Sequence, residues 1–414
     1  MIHIVNIHRI LDDLATHWPL YLSLPFLAAA TGYVTKRVAI EMMFRPVEFA
    51  GIRRIRLGWQ GVVPRNAERT ARIAAEMLTT KLVDVREIFA RIDPYPLSRE
   101  IEGPLLAAVD KITREVLAEH HPELWQALPS LAKDLIVKQV QGGVPDMVRT
   151  LVHELRDNVH DVIDVEEIAV SVLRTDRALL VRLIRDLVEP EMAFIARSGV
   201  YFGFTLGVVQ TIVFALTKEP IVLPLSGMAI GWLTDWLAIR LVFLPRRRTM
   251  LLGIPVQGVF QRRRHEFARQ YGELIATRVM TVPNIVHAML HGPRSARLVP
   301  MVHRAVHEVV DDRTDIVRPV VTVAIGPARL QAMKDAAAAK AMDYLPGAIL
   351  HVRGYLSQAL DIGNTIATRM RGLSRMEYED LLRPVFRQDE PKLIAAGALI
   401  GLLIGEAQVL MLLG

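Results

Sequence analysis

Two stretches of the chain place apolar and charged positions in the same register. Residues 231–245 read GWLTDWLAIRLVFLP and residues 32–46 read GYVTKRVAIEMMFRP, so that Gly, Thr, Ala, Ile, Phe and Pro coincide. Both stretches are apolar enough for a membrane, yet each carries charges at the same two positions. The later copy has Asp235 and Arg240 where the earlier copy has Lys36 and Glu41. We interpret the two stretches as copies of one element.

The apolar runs predict four membrane-spanning helices, because roughly 20 residues at 1.5 Å per residue cross a bilayer core. The charged, helix-patterned stretches between them predict cytoplasmic helical domains, and an apolar stripe at helical spacing near the start predicts an amphipathic helix at the membrane interface. No run alternates with period two, so we expect no strand. The predicted order is interfacial helix 1–18, span 19–46, helical domain 47–193, span 194–217, span 220–245, helical domain 246–391 and span 392–414.

The similarity between the two halves continues beyond the opening stretch. Gln60-Gly61-Val62 matches Gln257-Gly258-Val259, and Gln210 matches Gln408. Ordered matches through polar segments do not arise from chance apolar similarity. We therefore predict an all-α polytopic membrane protein built from two tandem repeats. Each repeat has a transmembrane helix, a helical cytoplasmic domain and a second transmembrane helix of Gly-zipper type.

Local signals mark some helix starts and turns. Asp84 with Glu87, and Asp164 with Glu167, have the spacing of capping boxes. Gln60 stands before a glycine that favours a tight turn, and the same pair recurs at Gln257. We expect the glutamine to cap or bridge the backbone there, with ligand binding as the alternative.

Charge and composition narrow the class of protein. The hydrophobic fraction of 51% fits a chain that is part membrane and part soluble, and the absence of cysteine excludes thiolate chemistry. The net charge of +6 comes from basic clusters beside the apolar runs. Anionic lipid headgroups and the positive-inside rule explain these clusters, so we expect membrane lipids as partners and no nucleic acid. The clusters place both termini and the turn near residue 218 outside, and both helical domains in the cytoplasm.

A family resemblance follows from these motifs. The pattern G-x-x-T-x-x-x-A-I-x-x-x-F-x-P, the following Q-G-V-[VF]-[PQ]-R and a G-x-x-x-G-x-x-x-G-x-x-Q span resemble the YheB/YjiN-like family of uncharacterised bacterial membrane proteins. The resemblance covers nearly the whole chain and departs from the pattern at Gln261, where Pro64 stands in the first copy. It implies a multi-pass, helical protein of the bacterial cytoplasmic (inner) membrane and carries no chemistry.

The charged positions within the spans are the first candidate site. If the two repeats are related by an axis along the membrane normal, Lys36 faces Asp235 and Glu41 faces Arg240. Charges within a span usually pair or line a polar path, because each costs ~2.5–3.5 kcal/mol to insert. The pairs therefore form either an assembly clasp near the cytoplasmic headgroups, the interpretation we favour, or a polar pathway or gate between the repeats.

Two further features of the spans could carry function. Glu406 interrupts the last span and is the best single candidate for proton or ion coupling, although a structural acid satisfied by a partner is favoured. Small residues at every fourth position let another helix approach closely, so the two glycine triplets predict helix packing, either between the two triplets or in a homo-oligomer. The triplets are Gly199, Gly203 and Gly207 in the first half and Gly397, Gly401 and Gly405 in the second.

Histidine pairs are the remaining candidate chemistry. His287 and His291 are four apart, as are His303 and His307. Neither pair has the glutamate of HExxH or an equivalent in the first repeat, so we expect no metal. Phosphate-binding and nucleophile-elbow motifs are absent from the sequence, and we expect neither a cofactor nor enzymatic activity.

These observations favour a non-enzymatic scaffold or organiser that presents helical cytoplasmic domains to proteins or to the lipid surface. The alternative is a transporter or lipid-handling protein that uses the interface between the repeats. An enzyme acting on lipid headgroups has no residues to support it.

Overall fold

The computed structural model describes residues 18–52, 57–245, 247–251, 254–314, 326–380 and 390–413, and nearly all of them are helical. The predicted all-α class is therefore confirmed. The predicted interfacial helix over 1–18 lies outside the described residues, apart from Trp18.

The helices follow one another with short connections. In the first half of the chain they are α1 (Trp18–Phe44), α2 (Val62–Arg65), α3 (Ala67–Met77), α4 (Val85–Ala90), α5 (Pro94–His120), α6 (Pro122–Ala127), α7 (Ser130–Gln141), α8 (Val144–Asp157), α9 (Val159–Val162), α10 (Val165–Thr175) and α11 (Arg177–Thr217). In the second half they are α12 (Val222–Phe243), α13 (Val259–Leu274), α14 (Val282–His291), α15 (Leu298–Thr314), α16 (Pro327–His351), α17 (Arg353–Leu360), α18 (Ile362–Gly372) and α19 (Glu390–Leu413). A π-helical turn extends α3 (Leu78–Leu82) and another extends α13 (Ile275–Val279), and a 3₁₀ turn covers Ser295–Arg297.

Two short antiparallel hairpins contradict the expectation of no strand. One pairs β1 (Ala50–Ile52) with β2 (Leu57–Trp59), and the other pairs β3 (Thr249–Leu251) with β4 (Ile254–Val256). Each follows a cis X-Pro bond, at Pro46 and at Pro245. Strands of three residues are too short to show a period of two, so the sequence pattern could not reveal them.

The chain divides into two compact units, and each is discontinuous in sequence. The first, here called the membrane unit, comprises residues 1–73, 173–270 and 370–414. The second, here called the helical unit, comprises residues 74–172 and 271–369.

Among its described residues, the membrane unit contains three helices long and apolar enough to cross a membrane, Arg177–Thr217, Val222–Val242 and Glu390–Leu410. The predicted first span, α1, is not among these three. Its 27 residues include Pro25 in the first third and Lys36, Arg37 and Glu41 in the second half, which reduce its apolar character. The boundary predicted between residues 193 and 194 lies within α11, which runs without interruption through 41 residues.

Within the membrane unit, α1 packs along α11 and α12 packs along α19. Leu223, Tyr21 and Phe214 form part of a buried apolar cluster where these helices meet. The chain turns from α11 to α12 over four residues, 218–221, in which Lys218 adopts a left-handed conformation with φ of 55°. The short connection that the sequence predicts at this point is confirmed.

The helical unit is built from both halves of the chain. Ile112 and Val116 of α5 pack against Met333 of α16. At the edge of this contact Lys340 lies 3.0 Å from both Glu115 and Glu119. The sequence predicts two separate helical domains, whereas the structure joins them into one unit. The reason is that the apolar stripe of α5 and that of α16 bury each other.

The predicted caps are present. Asp84 accepts backbone N–H bonds at the start of α4, including one from Glu87, and the Asp164 side chain accepts from the Glu167 backbone at 3.1 Å. The Gln60 amide donates to the Val47 carbonyl at 2.9 Å, which confirms that this glutamine bridges the backbone.

Candidate functional site

A buried ion pair joins two helices of the membrane unit. Lys36 Nζ of α1 lies 2.6 Å from Asp235 Oδ1 of α12, and it also donates to Thr234 Oγ1 at 3.0 Å. The two charged side chains are 2% and 12% exposed. Since desolvating a charge is costly, the pair holds only because the opposite charge and the hydroxyl replace water. The structure thus brings together the first of the two pairs that the sequence proposes.

Glycines make the room for this ion pair. A Cβ at position 397 would overlap Asp235 Oδ2, and a Cβ at position 199 would lie 2.9 Å from the Lys36 Cδ. Glycine is the residue that leaves this space empty. Gly199 and Gly397 therefore sit against the two charged side chains as well as against helix backbones. This second role could not be read from their spacing alone.

The glycine triplets do not face each other, which corrects one of the sequence expectations. Gly199 meets Gly32 of α1, and Gly397 and Gly401 meet Gly231 and Gly227 of α12. Except at Gly397, where the Asp235 carboxylate is nearer, a Cβ at any of these positions would clash with a backbone carbonyl, so the helix axes approach closely. Each triplet packs against the apolar helix of its own half because that helix carries small residues at matching depths. Gly203 and Gly207 lie against Ala28 and Pro25, and Gly405 lies against Leu223 and Pro224.

The second proposed pair is not formed. Glu41 Oε1 lies 2.6 Å from Arg185 Nη2 of α11, and its other oxygen lies 3.7 Å from Arg45. Arg240 instead places its guanidinium 4.7 Å from the centre of the Trp236 ring, one turn away on its own helix. The pairing of Glu41 with Arg240 was wrong because Arg185 lies on the helix that packs along α1, within reach of Glu41. Arg185 is a site residue that the comparison of repeats missed, since it lies outside the matched motifs.

A small polar cavity lies among the same four helices. Gln210 of α11 donates to Gln408 of α19 at 3.2 Å. The cavity is lined by both glutamines and by Thr31, Thr35 and Thr234, together with the small residues of the helix contacts. The volume open to the centre of a water molecule is about 30 Å³, enough for about two waters, since each needs roughly 10–15 Å³. A lipid or an organic substrate does not fit this space.

Glu406 lies on α19 near these glutamines in sequence, but its side chain is exposed. It does not line the polar cavity, whereas Gln408 two residues later does. The side chain that reaches the interior of the unit from this turn is therefore the neutral amide. The proposed coupling role of Glu406 gains no support from the geometry.

A second buried ion pair escaped the sequence analysis. Glu191 of α11 is fully buried and its Oε1 lies 2.9 Å from Arg263 Nη1, whose side chain is 14% exposed. Arg263 belongs to the run Arg262–Arg264, one of the basic clusters that we attributed to anionic lipid headgroups. A buried guanidinium within that run shows that positive-inside counts mix structural with surface arginines. The signal available in the sequence was Glu191, a carboxylate within the long helix α11 that needs a cation as its partner.

Taken together, these groups can hold four helices in register and enclose a few waters, and they present no nucleophile paired with a base.

Comparison with curated proteins finds similarity to membrane proteins. A UPF0754 membrane protein of Gloeothece citriformis is 27% identical over 124 residues, which are 30% of each chain. A UPF0754 membrane protein of a Nostoc species is 26% identical over 123 residues, 29% of each chain.

The match thus spans less than a third of these relatives' length. No family model matches the chain, and no solved structure matches it. The names of these relatives state a membrane location and no activity, and they do not confirm the YheB/YjiN resemblance. The similarity and the three apolar helices together identify a membrane protein with a nearly all-helical fold.

Proposed function

We propose that this chain is a non-enzymatic scaffold of the bacterial cytoplasmic membrane, whose helical unit docks other proteins on the cytoplasmic side. One observation carries this proposal. On α7 of the helical unit, Leu131 and Leu135 are 70% and 59% exposed, one turn apart, and Leu124 on α6 is exposed as well. Neighbouring exposed leucines on one helix face, such as Leu131 and Leu135, are typical of interaction sites, because a large apolar surface in water is unfavourable unless a partner covers it. We call Leu124, Leu131 and Leu135 the leucine stripe.

The surroundings of the leucine stripe favour a protein over a lipid surface. Between residues 122 and 141 the charges are Glu123, Asp134, Lys133 and Lys138, so the two signs cancel. Anionic lipid would be attracted by an excess of lysine or arginine, which this segment lacks. Asp134 is held 2.7 Å from Arg114, and Lys133 lies over the Trp125 ring. An apolar centre with a fixed polar rim is the composition of protein interfaces.

A photo-crosslinking residue placed at Leu135 in cells tests the proposal. We expect one discrete protein adduct, reduced by Leu131→Glu, while the same probe at the exposed Glu166 of α10 gives none. An adduct to lipid alone, or the same products from both positions, would contradict docking of a protein. A product of twice the chain mass would identify the partner as a second copy.

The two-repeat architecture and the topology belong to the same proposal. Supporting the repeat, both halves contain a short hairpin, a π-helical turn and a capped helix that follows it. In this arrangement α1 is a fourth span, and the turn at 218–221 lies outside. Alkaline-phosphatase and green-fluorescent-protein fusions at Thr217 test this, with fusions at Pro129 as the control. Phosphatase activity at Thr217 and fluorescence at Pro129 are expected, and the reverse pattern contradicts the topology.

Transport through the interface between the halves is the second candidate, favoured by the threonines and glutamines that line the cavity. The small size of the cavity limits any such cargo to water, protons or small ions. Proteoliposomes loaded with a pH-sensitive dye test this with an imposed proton gradient. A leak that Gln210→Leu abolishes would favour transport over the scaffold, whereas tight vesicles are expected.

A further inference from the structure

A histidine pair gains a third candidate ligand in the structure. His303 and His307 occupy one face of α15, and Asp335 reaches them from α16. Asp335 Oδ1 lies 3.0 Å from His307 Nε2 and 4.0 Å from His303 Nδ1. The three ligand atoms lie within 4.8 Å of one another. We propose that these residues bind a divalent transition metal ion, with zinc as the best match to the donor set.

The donor set is that of a zinc site with open positions. Two imidazoles and one carboxylate leave at least one coordination position for water or a further ligand. Metal–ligand bonds of about 2.0–2.2 Å place ligand atoms roughly 3.3 Å apart in a tetrahedron. The donor atoms are already near that spacing, at 3.0 and 4.0 Å from Asp335 Oδ1 and within 4.8 Å of one another. Imidazole nitrogen and carboxylate oxygen are both common zinc ligands, so the site needs no cysteine.

One donor atom of the site, His307 Nε2, lacks a hydrogen-bond partner among the described residues. His307 Nε2 is shielded from solvent and makes no hydrogen bond of normal geometry to any described residue, although Asp335 Oδ1 is 3.0 Å away. Buried polar atoms in native proteins are almost always satisfied, so an atom in this position marks a place for another group. A cation between the imidazole and the carboxylate would satisfy both.

The neighbouring charges fix the two helices without competing for the ion. Lys334, next to Asp335 in sequence, is buried and pairs with Asp311, which lies one turn beyond His307 on α15. Arg304 lies 2.6 Å from Glu154 of α8. Asp311 and Glu154 therefore have their own cations, and Asp335 is the carboxylate directed at the imidazoles. These ion pairs hold α15 against α16 and α8, and so they keep the helices that carry the three donors in place.

The second histidine pair provides a matched control within the same unit. His287 and His291 on α14 have the same spacing, with rings stacked 4.7 Å apart. No described carboxylate joins them in a group of three candidate ligands. The two pairs therefore have the same spacing on a helix, and within the described part of the chain only the pair His303/His307 has a third donor.

Cobalt titration of the full chain in detergent, after removal of metals by a chelator, tests the site. We expect one equivalent of Co²⁺ to give visible absorption bands, which one equivalent of Zn²⁺ abolishes. His307→Gln and Asp335→Asn should each weaken binding about 100-fold or more, while the double variant His287→Gln, His291→Gln should bind as the native chain does. Retained bands in His307→Gln, or loss of the bands in the His287/His291 variant, would overturn the proposal.

Elemental analysis and unfolding give readouts that a purely structural role of these residues would not reproduce. Bound zinc should raise the unfolding temperature of the native chain and leave that of Asp335→Asn unchanged. If Asp335→Asn does not fold, Asp335→Glu keeps a carboxylate and should bind with altered affinity. Equal stabilisation by zinc of the native chain and of His307→Gln would also overturn the site.

Discussion

Lys36 and Asp235 stand 199 residues apart in the sequence and 2.6 Å apart in the membrane unit, with Thr234 completing the contacts of the ammonium. Neither charge can exchange its partner for water at this depth. Lys36→Ala should therefore leave an uncompensated carboxylate and lower the unfolding free energy by about 3–5 kcal/mol. Thermal unfolding of the detergent-solubilised protein measures this.

The charge swap Lys36→Asp with Asp235→Lys should recover part of that loss, because opposite charges meet again. Arg72→Ala is the control, since its pair with Glu68 is 3.6 Å long and two-thirds exposed at both ends. A change of no more than about 0.5 kcal/mol is expected there. A double swap as unstable as either single variant would refute the pairing.

The close approach at Gly199 predicts a size limit on that residue. Gly199→Ala should destabilise the protein by about 1–3 kcal/mol, because the added methyl group would overlap the Gly32 carbonyl and crowd the Lys36 side chain. Gly347→Ala is the matched control, since a Cβ there meets no atom within 4 Å inside helix α16. That change should stabilise by about 0.5–1 kcal/mol, the ordinary gain of alanine over glycine in a helix. Unfolding in a denaturant series distinguishes the two signs.

The exchange of partners at Glu41 is testable by double-mutant cycles. The pair of Glu41 with Arg185 is bidentate, at 2.6 and 3.3 Å, and about one-third exposed. We expect a coupling energy of about 0.5–1 kcal/mol between Glu41→Gln and Arg185→Ala. The cycle of Glu41→Gln with Arg240→Ala should show none. Coupling with Arg240 and not with Arg185 would restore the original pairing.

Acid sensitivity should localise to Glu87 in the helical unit. A hydrogen bond from Arg369, with a further one from Arg91, lowers the pKa of this carboxyl below its ordinary value of 4.5. A lowered pKa in the folded state stabilises the fold above pH 4.5, and the contribution disappears as the pH falls through the folded-state pKa.

Glu87→Gln should therefore flatten the acid limb of the plot of unfolding free energy against pH. Arg369→Ala should have the same effect, whereas Arg371→Ala, which removes an exposed arginine two residues away, should not. Circular dichroism during thermal unfolding, measured from pH 7 to pH 3.5, follows this. An acid limb of equal slope in native and Glu87→Gln protein would contradict the assignment.

Sequence comparison between the halves proposed that Lys36 faces Asp235, and the structure contains this contact. It matched Gln210 with Gln408 as equivalent positions but did not predict that their side chains meet. It could not locate Arg185 as the partner of Glu41, since that contact joins two helices of the same half and has no matched motif. Asp335 was hidden for a similar reason. It lies 28 residues beyond His307, and only the packing of α16 on α15 makes them neighbours.

Helix caps and long apolar helices were predictable because their causes are local. The merging of the two helical stretches into one unit was not, because an amphipathic stripe on α5 does not show which stripe will cover it. The position of Arg263 illustrates the same limit. Its charge suggested contact with lipid headgroups, whereas in the structure it pairs with the buried carboxylate of Glu191.

The interleaving of the two units has a consequence for synthesis. Residues 74–172 cannot complete their core until residues 271–369 have been translated, and the membrane unit stays incomplete until α19 has been translated. During translation, the apolar stripes of the first half therefore remain without their final partners for more than a hundred residues of elongation. Chaperones and the insertion machinery would have to shield the nascent chain over that interval. A chain whose translation stops in its second half would leave both units incomplete, so both would be exposed to quality-control proteases.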